Sequence, residues 1–170
     1  MRNARTKGAG RLIDTLATRL ETRHRSEWGF SCTVNDVFVM SAVARAEEDL
    51  HPLTGDRFFM VDDAWTERSA LIQLLAFPAA GHAHAASGRY DIGLSEQPGS
   101  GEAVYFEQSP SGFNRFLPTG GWIELAFAAD RTSVEGTFEF DATNDTEGNR
   151  FIRRGKFFLP YADLPDTYAS

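Results

Sequence analysis

The sequence predicts a mostly β protein: an antiparallel β-sandwich of about nine or ten strands with one N-terminal amphipathic helix. Three observations carry that expectation. Beyond residue 27, apolar side chains fall at every second position in short runs, the mark of strands with one buried face. Gly, Pro, Asn and Asp break those runs at intervals of roughly a strand plus a turn. Aromatic residues are abundant, with 14 Phe, 4 Tyr and 3 Trp among 170 residues, and such side chains favour strands and fill thick cores.

The helix is read from residues 10–25. Leu12, Ile13, Leu16 and Leu20 recur at three-to-four spacing, while Arg11, Arg19, Arg23 and Arg25 take most other faces. The segment is long enough for about four turns. Its apolar stripe is narrow, which fits packing on a sheet edge, docking to a protein partner, or self-association through this helix. A basic polar face also suits peripheral contact with an anionic membrane, but the segment lacks aromatic anchors. Residues 1–27 are assigned to a basic arm, 28–161 to the β domain and 162–170 to a flexible tail containing Pro165.

Strands are expected at residues 30–34, 37–46, 57–62, 70–77, 88–94, 102–108, 114–117, 122–128, 133–142 and 150–161. Phe30, Cys32 and Val34 alternate with Ser31 and Thr33, and Asn35-Asp36 offers a tight turn into the second strand. The clearest pattern is near the C-terminus. Ile123, Leu125 and Phe127 share one face, as do Val134, Gly136, Phe138 and Phe140, with Glu124, Thr137 and Glu139 opposite. Hairpin-length connections there predict a β-meander, and residues 78–87 and 109–118 read as surface loops.

Charge is unevenly placed. Residues 1–25 hold seven basic and two acidic side chains, a balance of +5, which leaves −12 of the total −7 for the remainder. An acidic body repels phosphate backbones, so the domain is not expected to bind nucleic acid. Cys32 is the single cysteine, which excludes an intrachain disulfide and a multi-cysteine zinc site. No run approaches the ~18 apolar residues of a membrane-spanning helix. The N-terminus lacks the apolar core of a secretory signal, so a cytoplasmic setting is the default expectation.

Few constellations point to chemistry. His82 and His84 are two apart, so on extended chain they face the same side and form a weak candidate metal pair, with His51, Asp62 or Asp63 as a third ligand. Asp141, Asn144, Asp145 and Glu147 gather oxygen ligands in one loop without calcium-loop spacing, and the same residues serve a turn. No Gly-x-Ser-x-Gly elbow occurs, and Cys32 lies mid-strand as a small buried group. Asp62-Asp63 and Glu47-Glu48 are sequence neighbours and point to opposite faces of a strand. No glycine-rich phosphate loop is present, and no cofactor is expected. Trp65, Tyr90, Tyr105 and Trp122 are candidates for a ligand or partner surface if they share an exposed face.

Gly136-Thr137-Phe138-Glu139-Phe140-Asp141-Ala142, followed by Gly155-Lys156-Phe157, resembles the closing hairpin of an uncharacterised family of bacterial β-sandwich domains often found as exported lipoproteins. Gly88-Arg89-Tyr90 and Gly121-Trp122-Ile123-Glu124-Leu125 resemble its middle strands, and residues 30–36 its opening turn. The resemblance implies a sandwich and an exported setting, and it carries no catalytic residues. The chain departs from the pattern at Asp36, where a turn glycine is expected, at Val39 and Met40, and in lacking a lipoprotein signal. Together these readings anticipate a non-catalytic binding or assembly module. The alternatives are a β-barrel binding an apolar small molecule or lipid, and a hydrolase with a His-containing loop site.

Overall fold

A computed structural model describes residues 29–41, 43–66, 69–93 and 96–164, without the side chains of residues 63–65. The arm at 1–27 and its helix lie outside the described residues. Ten strands follow: β1 (Gly29–Val34), β2 (Val37–Ser41), β3 (Arg45–Leu50), β4 (Arg57–Trp65), β5 (Ala70–Ala76), β6 (Gly88–Ile92), β7 (Gly101–Ser109), β8 (Gly112–Phe127), β9 (Ser133–Asn144) and β10 (Gly148–Pro160). The chain is mostly β, as its alternation predicts. All ten strands share one sheet in the order β2-β1-β10-β9-β8-β6-β7-β5-β4-β3, with β8 also paired to β7. Every ladder is antiparallel except one parallel bridge, Ile92 to Gly101.

Two boundaries differ from expectation, each for a local reason. Residues 37–46 divide between β2 and β3, which lie at opposite edges of the sheet, and β3 runs on through the charged stretch Glu47-Glu48-Asp49. Those charges hid a strand whose inward positions are Ala46 and Glu48. The strands expected at 114–117 and 122–128 merge into the single strand β8, which ends at Phe127 and passes Pro118 through a register shift. Gly121 sits at φ +147, where a Cβ would collide with the backbone of Glu139 and Phe140 on β9, so the strand can continue there only as glycine.

The ladders run unbroken through all ten strands, so the two-sheet division of a sandwich is not shown. The sheet instead curls, bringing β3 toward β10 and β2 toward β4. Its inner face is packed with Phe59, Phe116, Phe138, Phe140, Ile72, Leu74, Ile123 and Ile152, all essentially inaccessible. Aromatic rings join strands that are distant in the sheet. Phe30 stacks on Phe138 at 5.1 Å, and Phe59 meets Phe127 edge-on at 5.6 Å. Cys32 is buried among them, and burial pushes its thiol up to about 12. Among the described residues, no helix is long and apolar enough to cross a membrane.

The curl leaves two rims. One carries the β3–β4, β5–β6, β6–β7 and β8–β9 connections together with the chain leaving β10. The other carries the β1–β2, β4–β5, β7–β8 and β9–β10 turns.

Candidate functional site: the loop rim and its buried carboxylate

Glu48 projects inward from edge strand β3, and its side chain is 1% exposed. A carboxylate taken out of water needs partners for both oxygens. Oε1 lies 2.6 Å from His84 Nδ1 in the β5–β6 loop. Oε2 accepts from the Leu164 backbone N–H at 2.8 Å and from Arg57 Nη1 at 3.3 Å. Arg57 begins β4, across the ladder from Leu50, and also donates to the Leu164 carbonyl at 2.8 Å. The edge strand, the histidine loop and the chain after β10 are thus tied at one buried point.

A second ion pair lies beside it. Arg131, in the β8–β9 turn, grips Asp163 through Nε at 2.7 Å and Nη2 at 2.9 Å, and Nη2 also donates to the Ala85 carbonyl at 3.2 Å. The guanidinium lies over the rings of Phe127 and Tyr161. Burial works to raise the Asp163 pKa, but hydrogen bonds from Arg131 and Tyr161 outweigh it and hold the carboxyl below its usual range. The Tyr161 phenol moves upward, first through burial and then through its hydrogen bond to Asp163.

Because a carboxylate only accepts, the His84 nitrogen facing Glu48 is the one that carries a proton, Nδ1–H, and the ring is held in that orientation. Glu48, His84 and Asp163 place one ligand atom each within 4.8 Å of one another, a spacing that could suit a metal ion. The charges argue otherwise. Among the described residues two guanidiniums already balance the two carboxylates, so a divalent cation would add positive charge to a pair of matched ion pairs. The arrangement is better matched to holding an imidazole in one tautomer and fastening three chain segments.

Next to this network is a cleft of about 390 Å³, lined by residues including His51, Asp56, Arg57, Phe77, His82 and Glu96. His51 fixes one wall. Its Nε2 lies 2.7 Å from Glu96 Oε2, and its Nδ1 accepts from the backbone N–H groups of Leu53 and Thr54 at 3.3 Å. The Phe77 carbonyl takes the Gly99 N–H at 3.1 Å, which joins the β5–β6 and β6–β7 connections. Backbone bonds, a fixed imidazole and Arg57 give this cleft a preformed wall.

The opposite rim holds a cleft of about 440 Å³ lined by Val34, Val39, Ala70, Tyr105, Glu107 and Arg150, among others. Glu107 receives Arg150 at 2.6 Å and 2.8 Å and the Tyr105 hydroxyl at 2.9 Å. The Arg150 hydrogen bond dominates and lowers the Glu107 pKa against the opposing effect of burial. Tyr105 moves upward, through burial first and the neighbouring Glu107 charge second.

The residues singled out from sequence are dispersed. His82 lines the rim cleft, whereas His84 belongs to the Glu48 network, so the two have different surroundings. Asp62 pairs with Gln73. Tyr90 is buried, its hydroxyl bonded to the backbone of Ala86, and Tyr105 lies at the other rim. Trp122 is half-buried beneath the Arg89 guanidinium at 5.1 Å, and the Trp65 side chain is outside the described residues. The Asn144 side chain accepts from Thr146 and from the Glu147 N–H, closing the β9–β10 turn. Sequence reasoning missed Glu48, Arg57, Arg131 and Asp163. The one available signal was that Glu48 has the same parity as Ala46. No family model, curated protein or solved structure matches the chain, so fold and site rest on its own residues.

Proposed function

We propose that the protein is a non-catalytic binding module that takes a small polar molecule in the rim cleft. The observation that carries this reading is a cleft of about 390 Å³, within the roughly 300–1,000 Å³ range of small-molecule sites, with imidazole, guanidinium, carboxylate and aromatic groups converging on it. The mixed signs of Arg57, Asp56 and Glu96 favour a neutral or zwitterionic ligand over a strong anion. We also infer that the curl sets the two halves of the sheet face to face, as the layers of a sandwich stand, with Phe59 of one half against Phe157 of the other at 6.4 Å. An interior filled by Phe59, Phe116, Phe138 and Phe140 supports surface binding over enclosure of a lipid.

The test is a panel of small polar metabolites titrated into labelled protein while backbone amide shifts are followed. Shifts confined to residues 51–57, 77–83 and 96–98, abolished by His51→Ala, are expected. Shifts clustering around Tyr105 and Arg150 would move the site to the opposite rim, and a panel giving none would remove the proposal.

A catalytic reading has one specific observation in its favour: a buried carboxylate holding the His84 imidazole in a single tautomer, as a general base requires. It predicts that any turnover found in a broad hydrolase panel disappears in His84→Ala. Turnover unchanged by that substitution would exclude the dyad as its source.

A further inference from the structure

The outer face of the sheet differs between its two halves. On β8, β9 and β10 the outward side chains Arg115, Glu124, Thr137, Arg154 and Lys156 are exposed, with Phe158 near the end of β10 the buried exception. On β4, β5 and β7 the outward positions are Phe58, Met60, Leu71, Leu75, Val104 and Phe106, and none of them is exposed. Phe58, Met60 and Val104 are as low as 7%, 7% and 5%. The ladder registers bring them together: Met60 lies opposite Leu75, Gln73 opposite Val104, and Leu71 opposite Phe106. An apolar, shielded patch on the outside of a sheet whose inside is already filled needs a covering layer.

We propose that residues 10–25 of the same chain are that layer, docked with Leu12, Ile13, Leu16 and Leu20 on the outer face of β4, β5 and β7. Three features select this occupant. The segment is apolar on one stripe and basic elsewhere, and the patch is bordered by Glu47, Asp49, Asp62 and Glu102. The 28 residues preceding β1 are ample to cross three strands spaced about 4.8 Å apart. The chain also enters β1 on the rim where β4 begins, and the curl brings the β1 side of the sheet toward β4. A burial-raised pKa at Glu102, on the same outer face, agrees with a covered surface.

The experiment is proximity cross-linking in the full chain at low micromolar concentration. Leu16→Cys is combined with Leu75→Cys, or, as a control, with Lys156→Cys on the exposed half of the outer face. A short thiol cross-linker is applied, and products are resolved by mass. Expected is an intrachain link for the Leu16/Leu75 pair and little for the Leu16/Lys156 pair. A link between two chains would show that a second copy covers the patch, and equal linking of both pairs or none of the first would overturn the docking. Independently, Leu16→Asp with Leu20→Asp should raise binding of a hydrophobic dye severalfold with the β-sheet circular dichroism unchanged. No rise in dye binding would count against the proposal.

Discussion

The ring of Phe157 on β10 lies directly over Gly136 on β9, its partner across the ladder, and fills the space a Cβ at that glycine would occupy. The relation repeats two pairs along, where Phe138 covers Gly155 with three ring carbons 2.5 Å from a would-be Cβ. In both pairs the glycine is what lets a phenyl ring lie flat against the sheet and reach the common core. Gly136→Ala and Gly155→Ala should each cost about 1–3 kcal/mol, because the ring must leave its position in a filled interior. Urea unfolding measures this, and a neutral or stabilising result would mean the rings have room to move.

Removing the inward carboxylate should be more damaging. Glu48→Ala removes the buried carboxylate that Arg57, His84 and the Leu164 N–H share, and breaking such a pair costs about 3–5 kcal/mol. It also releases one anchor of the chain after β10, so limited proteolysis should cut near residues 161–164 faster than in the parent. Parent-like stability with parent-like cleavage would show that Arg131 and Asp163 hold this region alone.

Acid should weaken the opposite rim in a defined window. Glu107 is held below its ordinary 4.5, so its contribution is fully present above that value and is lost as pH falls through the depressed folded value. Glu107→Gln should therefore cost roughly 1–3 kcal/mol at neutral pH, and the gap from the parent should close as pH drops below 4.5. Denaturant midpoints across pH 3–7 would show it. A gap independent of pH would assign the loss to packing rather than to charge.

The single thiol gives a probe of opening. With its pKa pushed up to about 12 and its side chain inside the sheet, Cys32 should not react with a thiol reagent at pH 8 in the folded protein. It should react stoichiometrically in denaturant. Fast labelling without denaturant would mean that β1 and β2 separate readily from the rest.

How much of this could be read in advance depends on sequence distance. β9 and β1 were legible because Val134, Phe138 and Phe140, and Phe30, Cys32 and Val34, write the period-two pattern directly. β3 was hidden because three acids in a row mask its parity, and β8 looked like two strands because Pro118 and two glycines interrupt its pattern without ending its pairing. The site was less legible still. Glu48 meets His84 36 residues later and Leu164 116 residues later, and no local periodicity encodes such a meeting. His84 was noticed, but beside His82, which the fold directs to the cleft. Asp163 and Leu164 fell in a segment read as tail, yet they are bonded to Arg131, Glu48 and Arg57.

The pairing of β1 with β10 joins the start of the described domain to its end, Gly29 opposite Phe158. A ribosome must therefore translate through β10 before the opening hairpin can find its permanent neighbour. Until β10 has emerged, the β10-facing edge of the Phe30 and Val34 strand has no ladder to join, which makes this pairing one of high sequence separation and late closure.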